Sequence, residues 1–502
     1  MNPARALPAP RTDEAGATAR LVVMGVISGA IAVTVAAAGY ALVSRGIDEA
    51  MLCLTGAAGL SLLFVPLVLQ ERFSIVEPIV YVAFIQIVGF AFKTIYVVFS
   101  DTDRAEMLIR FGRSPSFFLN GAFWTLIGIG ALSLGYLYGG YRLPLERLDM
   151  FKAQRWSGGR VLFLVLTLVT VALVATLSYV SLMSVSFADL NSLSSKRYYE
   201  IEGSETGYGT LGYLVSGARL AEYAAYVLYG YIVTTGRRLA SIQGAVLAVA
   251  VLIASVVPIV ANSRQSTVLV FINLFILSVV LRRGVSVKNV VLVIGIAAVM
   301  VTTLSALRQN KADTLSDRVG GSAIVEEIIG SRHFGDFTRT SHIINAVPDQ
   351  LEYRYGTTFF GWVVAPIPRV IWKAKPFLGV EKEVAAKVFG FRDGRTGVPP
   401  GFIAEIVINF GLFAIPFLMF AAGWVMKVFY LSFRPVLSTV PGAVMYVSLL
   451  YTLTFTFLNN ELTVMVTRAL VVSLPMLLIL WFLGYQGRPR RSRVPRRTLR
   501  YA

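Results

Sequence analysis

Residues 21–43 read LVVMGVISGAIAVTVAAAGYALV, a run without one charged side chain. About twenty consecutive apolar residues are what a helix needs to cross the hydrocarbon core of a bilayer. Inside lipid such a run must be helical, because only a helix satisfies its own backbone N–H and C=O groups. The signature recurs along the chain. Similar blocks fall near 52–69, 78–100, 117–139, 161–182 and 211–233, and then near 244–260, 266–281, 287–307, 401–429, 442–458 and 462–485. The expected fold class is all-α, a polytopic transmembrane helical bundle of about 12 spans. Composition agrees. The chain has 502 residues and is 56% hydrophobic and 15% charged, whereas soluble chains lie near half apolar and a quarter charged.

The net charge of +18 does not describe a nucleic-acid-binding face. The basic residues gather in short clusters between apolar blocks, which is a topology pattern. With a cytoplasmic N-terminus, inside segments carry about 23 basic residues and the short outside loops about 7. The inside set includes Arg142, Arg147, Lys152, Arg155, Arg237, Arg238, Arg282 and Arg283. Both termini are then cytoplasmic. The single Cys53 sits in an apolar block, so no disulfide framework or thiolate metal site is expected. Residues 1–20, rich in Pro, Ala and charge, are expected to form a disordered cytoplasmic arm rather than a cleavable signal. Residues 21–307 carry spans one to nine, 308–400 a large outside loop, 401–485 spans ten to twelve, and 486–502 a basic cytoplasmic tail.

Two outside loops are long. One, 183–210, is mostly polar and holds Arg197 with Tyr198 and Tyr199. The other, 308–400, is expected to be partly helical: 322–330 and 334–347 have helix-like apolar spacing. Residues 357–365 are apolar but too short to span, so a re-entrant or interfacial segment is expected there, broken by Pro366 and Pro368. No internal repeat of the kind built into many transporters is visible.

Few charges lie within the blocks, and their depth is informative. Lys93, Arg219, Glu222, Glu405 and Arg468 all fall toward the outside end, and Arg264 stands in a tight outside turn. Arg219 and Glu222 share one helix face at i,i+3. A charge at mid-bilayer costs at least about 2.5 kcal/mol, so such groups pair or line a cavity. Snorkelling accounts equally well for Lys93 or Arg468 taken alone. The whole set at one leaflet points instead to a basic cavity open to the outside, joined by Arg332, Arg339, Arg354, Arg369, Lys373 and Lys375 from the long loop. That cavity suits an anionic ligand, and Arg offers phosphate a bidentate fork.

The long loop and span ten carry a pattern. Tyr355-Gly356 is followed by IPRVIWKAKP at 367–376, by GVPPGFIAE at 397–405, and by Asn409-Phe410-Gly411. Together with the Ser263-Arg264 turn, this resembles the O-antigen polymerase type of oligosaccharide repeat-unit polymerase. The matching motifs cover about a hundred residues of the second half. The resemblance implies a bacterial inner-membrane glycosyltransferase whose substrates are repeat units on undecaprenyl diphosphate, joined at the periplasmic face for O-antigen or exopolysaccharide. It implies Arg264, Arg369 and Arg332 as electrostatic partners of the leaving diphosphate. Glu405 is its first candidate for general base, with His333, His342 and Asp336 behind it. Further substrate contacts would come from Arg339, Lys373, Lys375, Arg219, Lys93, Asn409, Arg468 and Arg197. No metal and no cofactor beyond the lipid-linked substrate are implied. Partners would be membrane lipid and the chain-length regulator and flippase of the same pathway, and not nucleic acid.

Plainer readings stand beside these. Nine residues separate His333 from His342, which is not a metal-ligand spacing, and a structural hydrogen bond serves either one. Glu405 could pair with a loop arginine, and Asn409 could bond between helices. Asp101-Thr102-Asp103 is a weak match to a metal-binding DxD. Three other functions fit a membrane protein of this kind: an O-antigen ligase, a transferase adding single sugars from a polyprenyl phosphate, and a lipid-linked glycan flippase or exporter. A scaffold or receptor role would leave the buried charges unexplained.

Overall fold

The computed structural model describes residues 12–70, 73–100, 116–152, 156–182, 210–238, 240–260, 264–282, 295, 329, 337–365, 367, 372, 374, 379–391 and 397–484. Among them there is no β-strand. The helices, in chain order, are α1 (Thr12–Ser44), α2 (Ile47–Leu69), α3 (Pro78–Phe99), α4 (Phe117–Tyr138) and α5 (Gly158–Leu182). Then come α6 (Thr210–Ala218), α7 (Leu220–Thr235), α8 (Ile242–Val260), α9 (Arg264–Arg282) and α10 (Phe337–Ala346). The last are α11 (Phe402–Phe410), α12 (Ile415–Phe433), α13 (Val440–Asn459) and α14 (Leu462–Gly484).

Nine helices among the described residues are long and apolar enough to cross a membrane: α1 to α5, α8, α12, α13 and α14. The sequence pointed to about twelve, and the difference has local causes. The expected span at 211–233 is two helices, α6 and α7, meeting at Arg219, where Glu222 N–H bonds the Arg219 carbonyl at 3.0 Å in an i,i+3 turn. The apolar part of α9, Thr267–Leu281, is short. The expected span at 287–307 lies outside the described residues. The expected span at 401–429 is broken at Gly411, whose φ of +79° belongs to the left-handed region that a β-carbon disfavours. At the N-terminus the expected arm 1–20 is partly helix. Its Ala-rich half lets α1 start at Thr12, and residues 1–11 lie outside the described set.

Two apolar cores share α12 and α13. One packs α1 to α4 against α10, α11 and the first half of α12. The other packs α5, α7, α8, α9, α13 and α14 against the second half of α12. Helices α4 and α12 touch backbone to backbone. A Cβ on Gly135 would lie 1.9 Å from the Phe420 carbonyl oxygen, and one on Gly423 would lie 1.9 Å from that of Leu132. Of the long 308–400 segment, α10 is sunk into the bundle, with nine of its ten residues buried. It rests on α4 where Gly121 has no side chain to obstruct Ser341.

One buried ion pair lies far from that segment. Lys427 of α12 bonds Glu77 at 3.4 Å and Gln70 at 2.8 Å, and the Tyr136 hydroxyl donates to the same Glu77 oxygen at 2.7 Å. Lys427 stands fifteen residues past Leu412, about 22 Å along the helix. Intramembrane charge is therefore present at both ends of the bundle, and the expectation of a single charged leaflet is corrected. Lys427→Met should cost about 3–5 kcal/mol by stranding a buried carboxylate, and adding Glu77→Gln should restore most of it. Unfolding midpoints in detergent for the single and double variants measure this directly.

Candidate functional site

Glu405, on α11, is fully buried with both oxygens engaged. The Thr358 hydroxyl bonds Oε1 at 2.6 Å, and the Leu462 N–H donates to Oε2 at 2.7 Å. Thr358 is held in turn by Asn409 Nδ2 at 2.7 Å, while its carbonyl accepts from the Thr463 hydroxyl at 2.6 Å. Asn409 Oδ1 accepts from the Gly356 N–H at 2.9 Å. The 355–358 turn that delivers Thr358 places Tyr355 at φ +48° and Gly356 at +87°. One carboxylate thus ties three parts of the chain together: the loop, α11 and the start of α14. α11 lies outside the spanning helices, and burial pushes Glu405 up to about 7 against the lowering pull of Thr358 and Leu462. A carboxyl near 7 can hold or release a proton under ordinary conditions.

A second carboxylate, Glu461, sits beside it in the turn between α13 and α14. It accepts from the Val380 N–H at 3.1 Å, and burial together with Glu381 and Glu405 raises it well above the usual carboxylate range. Farther along the loop, burial acts to raise Glu383, but hydrogen bonds from Lys387 and Arg354 hold it below its ordinary value. Arg339 donates to the Asn459 carbonyl at 3.3 Å, and Lys93 to the Ile329 carbonyl at 2.9 Å. His342 is wedged among Phe117, Phe118 and Phe389, with ring centroids 5.0 to 5.5 Å away. These three side chains brace the loop against the bundle.

The other group is a cleft between α7, α9, α13 and α14. It is lined by Arg219, Glu222, Tyr223, Asn273, Tyr451 and Arg468, among others. The Arg468 guanidinium lies over the Tyr451 ring, 5.0 Å from its centroid. Glu222 is within electrostatic reach of both Arg219 and Arg468. Arg468 is six residues past Leu462, so the cleft lies about 9 Å along α14 from the Glu405 network.

The structure therefore joins Arg219, Glu222 and Arg468 in one cleft and Glu405 with Asn409 in a neighbouring hub. Arg339 reaches the Asn459 carbonyl at the edge of that hub, and Lys93 and His342 do not line the cleft. Arg264 opens α9, the helix that contributes Asn273 to the cleft, but its side chain is outside the described set. Arg197, Arg332, His333, Asp336, Arg369, Lys373 and Lys375 also lie outside the described residues. Sequence reading missed Thr358, Glu461, Asn273 and Tyr451. The first two carry no local signal, and the other two are ordinary polar residues on apolar helices. Among the described residues no group of carboxylates, histidines and cysteine is arranged to hold a metal.

The Thr358 hydroxyl can donate to a Glu405 carboxylate or accept from the acid, so the hub fits either state. Because folding raises this pKa from its ordinary 4.5 to about 7, the contribution is fully present below 4.5 and is lost as pH rises to about 7. Glu405→Gln mimics the neutral acid. It should match the parent near pH 4.5 and exceed it above pH 7 by up to about 3 kcal/mol, read from denaturation midpoints across pH. A search of protein-family models, curated proteins and solved structures finds no match to this chain.

Proposed function

We propose that the chain is a bacterial inner-membrane glycan polymerase that joins undecaprenyl-diphosphate-linked repeat units at the periplasmic face. The observation that carries this reading is the cleft holding Arg219 and Arg468 among apolar helices. Two guanidinium groups against one carboxylate leave net positive charge where an amphiphile's phosphate can enter from the membrane. Gly356, Glu405 and Asn409 of the family-like motifs belong to the adjoining hub.

The chemistry divides accordingly. The acceptor hydroxyl attacks the anomeric carbon of the growing chain. The bond from that carbon to the diphosphate oxygen breaks, and the diphosphate leaves with the electron pair. Arg219 and Arg468 stabilise the developing charge. The hydroxyl proton passes to a base. Glu405 has the right proton affinity, but both its oxygens are taken, so it serves as base only when the Thr358 turn lifts away. With the turn closed it positions the loop over the bundle.

A lipid-linked glycan transporter is the second reading. The Lys427–Glu77 pair favours it by placing buried charge at the opposite end as well. Reconstitution with a defined lipid-linked repeat unit separates the two. A polymerase yields a laddered product, and Arg468→Ala and Arg219→Ala should each lower its rate about 100-fold. Undiminished ladders from both variants would sink the site assignment. Movement of substrate across the vesicle wall without any ladder would establish the transporter instead.

A further inference from the structure

Several polar groups on the cleft wall are hydrogen-bonded. The Tyr223 hydroxyl donates to the Val471 carbonyl at 3.3 Å, and the Ser448 hydroxyl to that of Val444 at 2.8 Å. Asn273 Nδ2 donates to the Tyr226 hydroxyl at 3.0 Å. Two atoms stand apart. Asn273 Oδ1 and the Tyr451 hydroxyl are sealed from solvent and have no hydrogen-bond partner among the described residues. Asn273 is only 4% exposed. Turning its amide over does not help, because one of its two polar atoms is then still unpaired.

Buried side-chain polar atoms without partners are uncommon, and each one calls for a reason. Twelve occur among the described residues, and two of them fall in this one cleft, contributed by different helices and sharing it with both arginines. Lipid has no hydrogen bonds to offer them. Their chemistry is complementary: the amide oxygen accepts, and the phenol donates or accepts. In the orientation the structure shows, with Nδ2 on Tyr226, the amide oxygen can only accept, and a phosphate has no proton to give it at neutral pH, so the arginines' ligand does not satisfy both. A hydroxyl does, because it can donate to Asn273 and accept from Tyr451.

We propose that Asn273 and Tyr451 form a hydroxyl-reading subsite for the sugar adjoining the phosphate held by Arg219 and Arg468. The inference rests on the lipid-linked glycan reading and adds selectivity to it. The arginines bind the diphosphate whatever it carries. Asn273 and Tyr451 distinguish a glycosylated carrier from the bare one, which must leave after transfer. A bare carrier leaves the two polar atoms unpaired, and that penalty favours exchange of spent carrier for loaded substrate.

The test uses purified full-length protein and calorimetric titration with a short-chain prenyl diphosphate, with and without one attached hexose. A short-chain phosphatidylglycerol is the third probe. The parent should bind the hexose-bearing probe about five- to tenfold more tightly than the bare one. Tyr451→Phe and Asn273→Leu should each bring that ratio near one by weakening the hexose-bearing probe more than the bare one. Arg468→Ala should weaken both diphosphates alike. If Asn273→Leu does not fold, Tyr451→Phe decides alone, since it removes a single oxygen. A parent ratio of one, or equal losses for both diphosphates in Tyr451→Phe, overturns the subsite and leaves the phosphate site standing. A Tyr451→Phe loss confined to phosphatidylglycerol reassigns the hydroxyl to a lipid glycerol and overturns the sugar. No binding of either diphosphate overturns the phosphate site too.

Discussion

The Glu405 carboxylate is where the extramembrane chain and the helix bundle become one object. Its oxygens bond the loop through Thr358 and the start of α14 through the Leu462 N–H. A carboxyl buried this deeply is tolerable only with both oxygens engaged or with its proton retained. The hub provides for both. Thr358 can reverse its hydrogen bond, and Asn409 fixes Thr358 from behind. Asn409 also holds the 355–358 turn on α11 through the Gly356 N–H, and the Glu405 tie extends that hold to α14.

The same constraint positions the cleft. α14 begins at the Glu405 bond and passes Arg468 less than two turns later. α13 ends in the turn that carries Glu461, whose oxygen holds the loop at Val380, and it presents Tyr451 to the cleft from its middle. The hub therefore sets the level of two of the four cleft walls.

At the opposite end a second buried ionic group, Lys427 with Glu77, closes the bundle around Tyr136. It links the turn after α2 to α12, and α12 also bears directly on α4 through Gly135 and Gly423. α12 thus combines a polar tie toward its C-terminal end with small-residue packing at Gly423. Helices that cannot gain by leaving water hold together through such close packing and interhelical hydrogen bonds.

Much of the architecture could be read directly. Apolar blocks such as 21–43 and 462–485 are helices by physical necessity, since block length and backbone satisfaction leave no alternative. The helix α10 was also legible from its apolar spacing, and Glu405 and Asn409 were singled out by the family-like motif and, for Glu405, by its depth in an apolar block. The pairing of Arg219 with Arg468 was not, because residues so far apart in the chain meet only when α7 and α14 pack. Thr358 as partner of Glu405, the break at Gly411 and the Lys427–Glu77 pair were decided in the same way. A residue's type and spacing determine whether it can live in a membrane. Which group satisfies its charge or hydrogen bonds depends on which helices become neighbours, and only packing in three dimensions determines that.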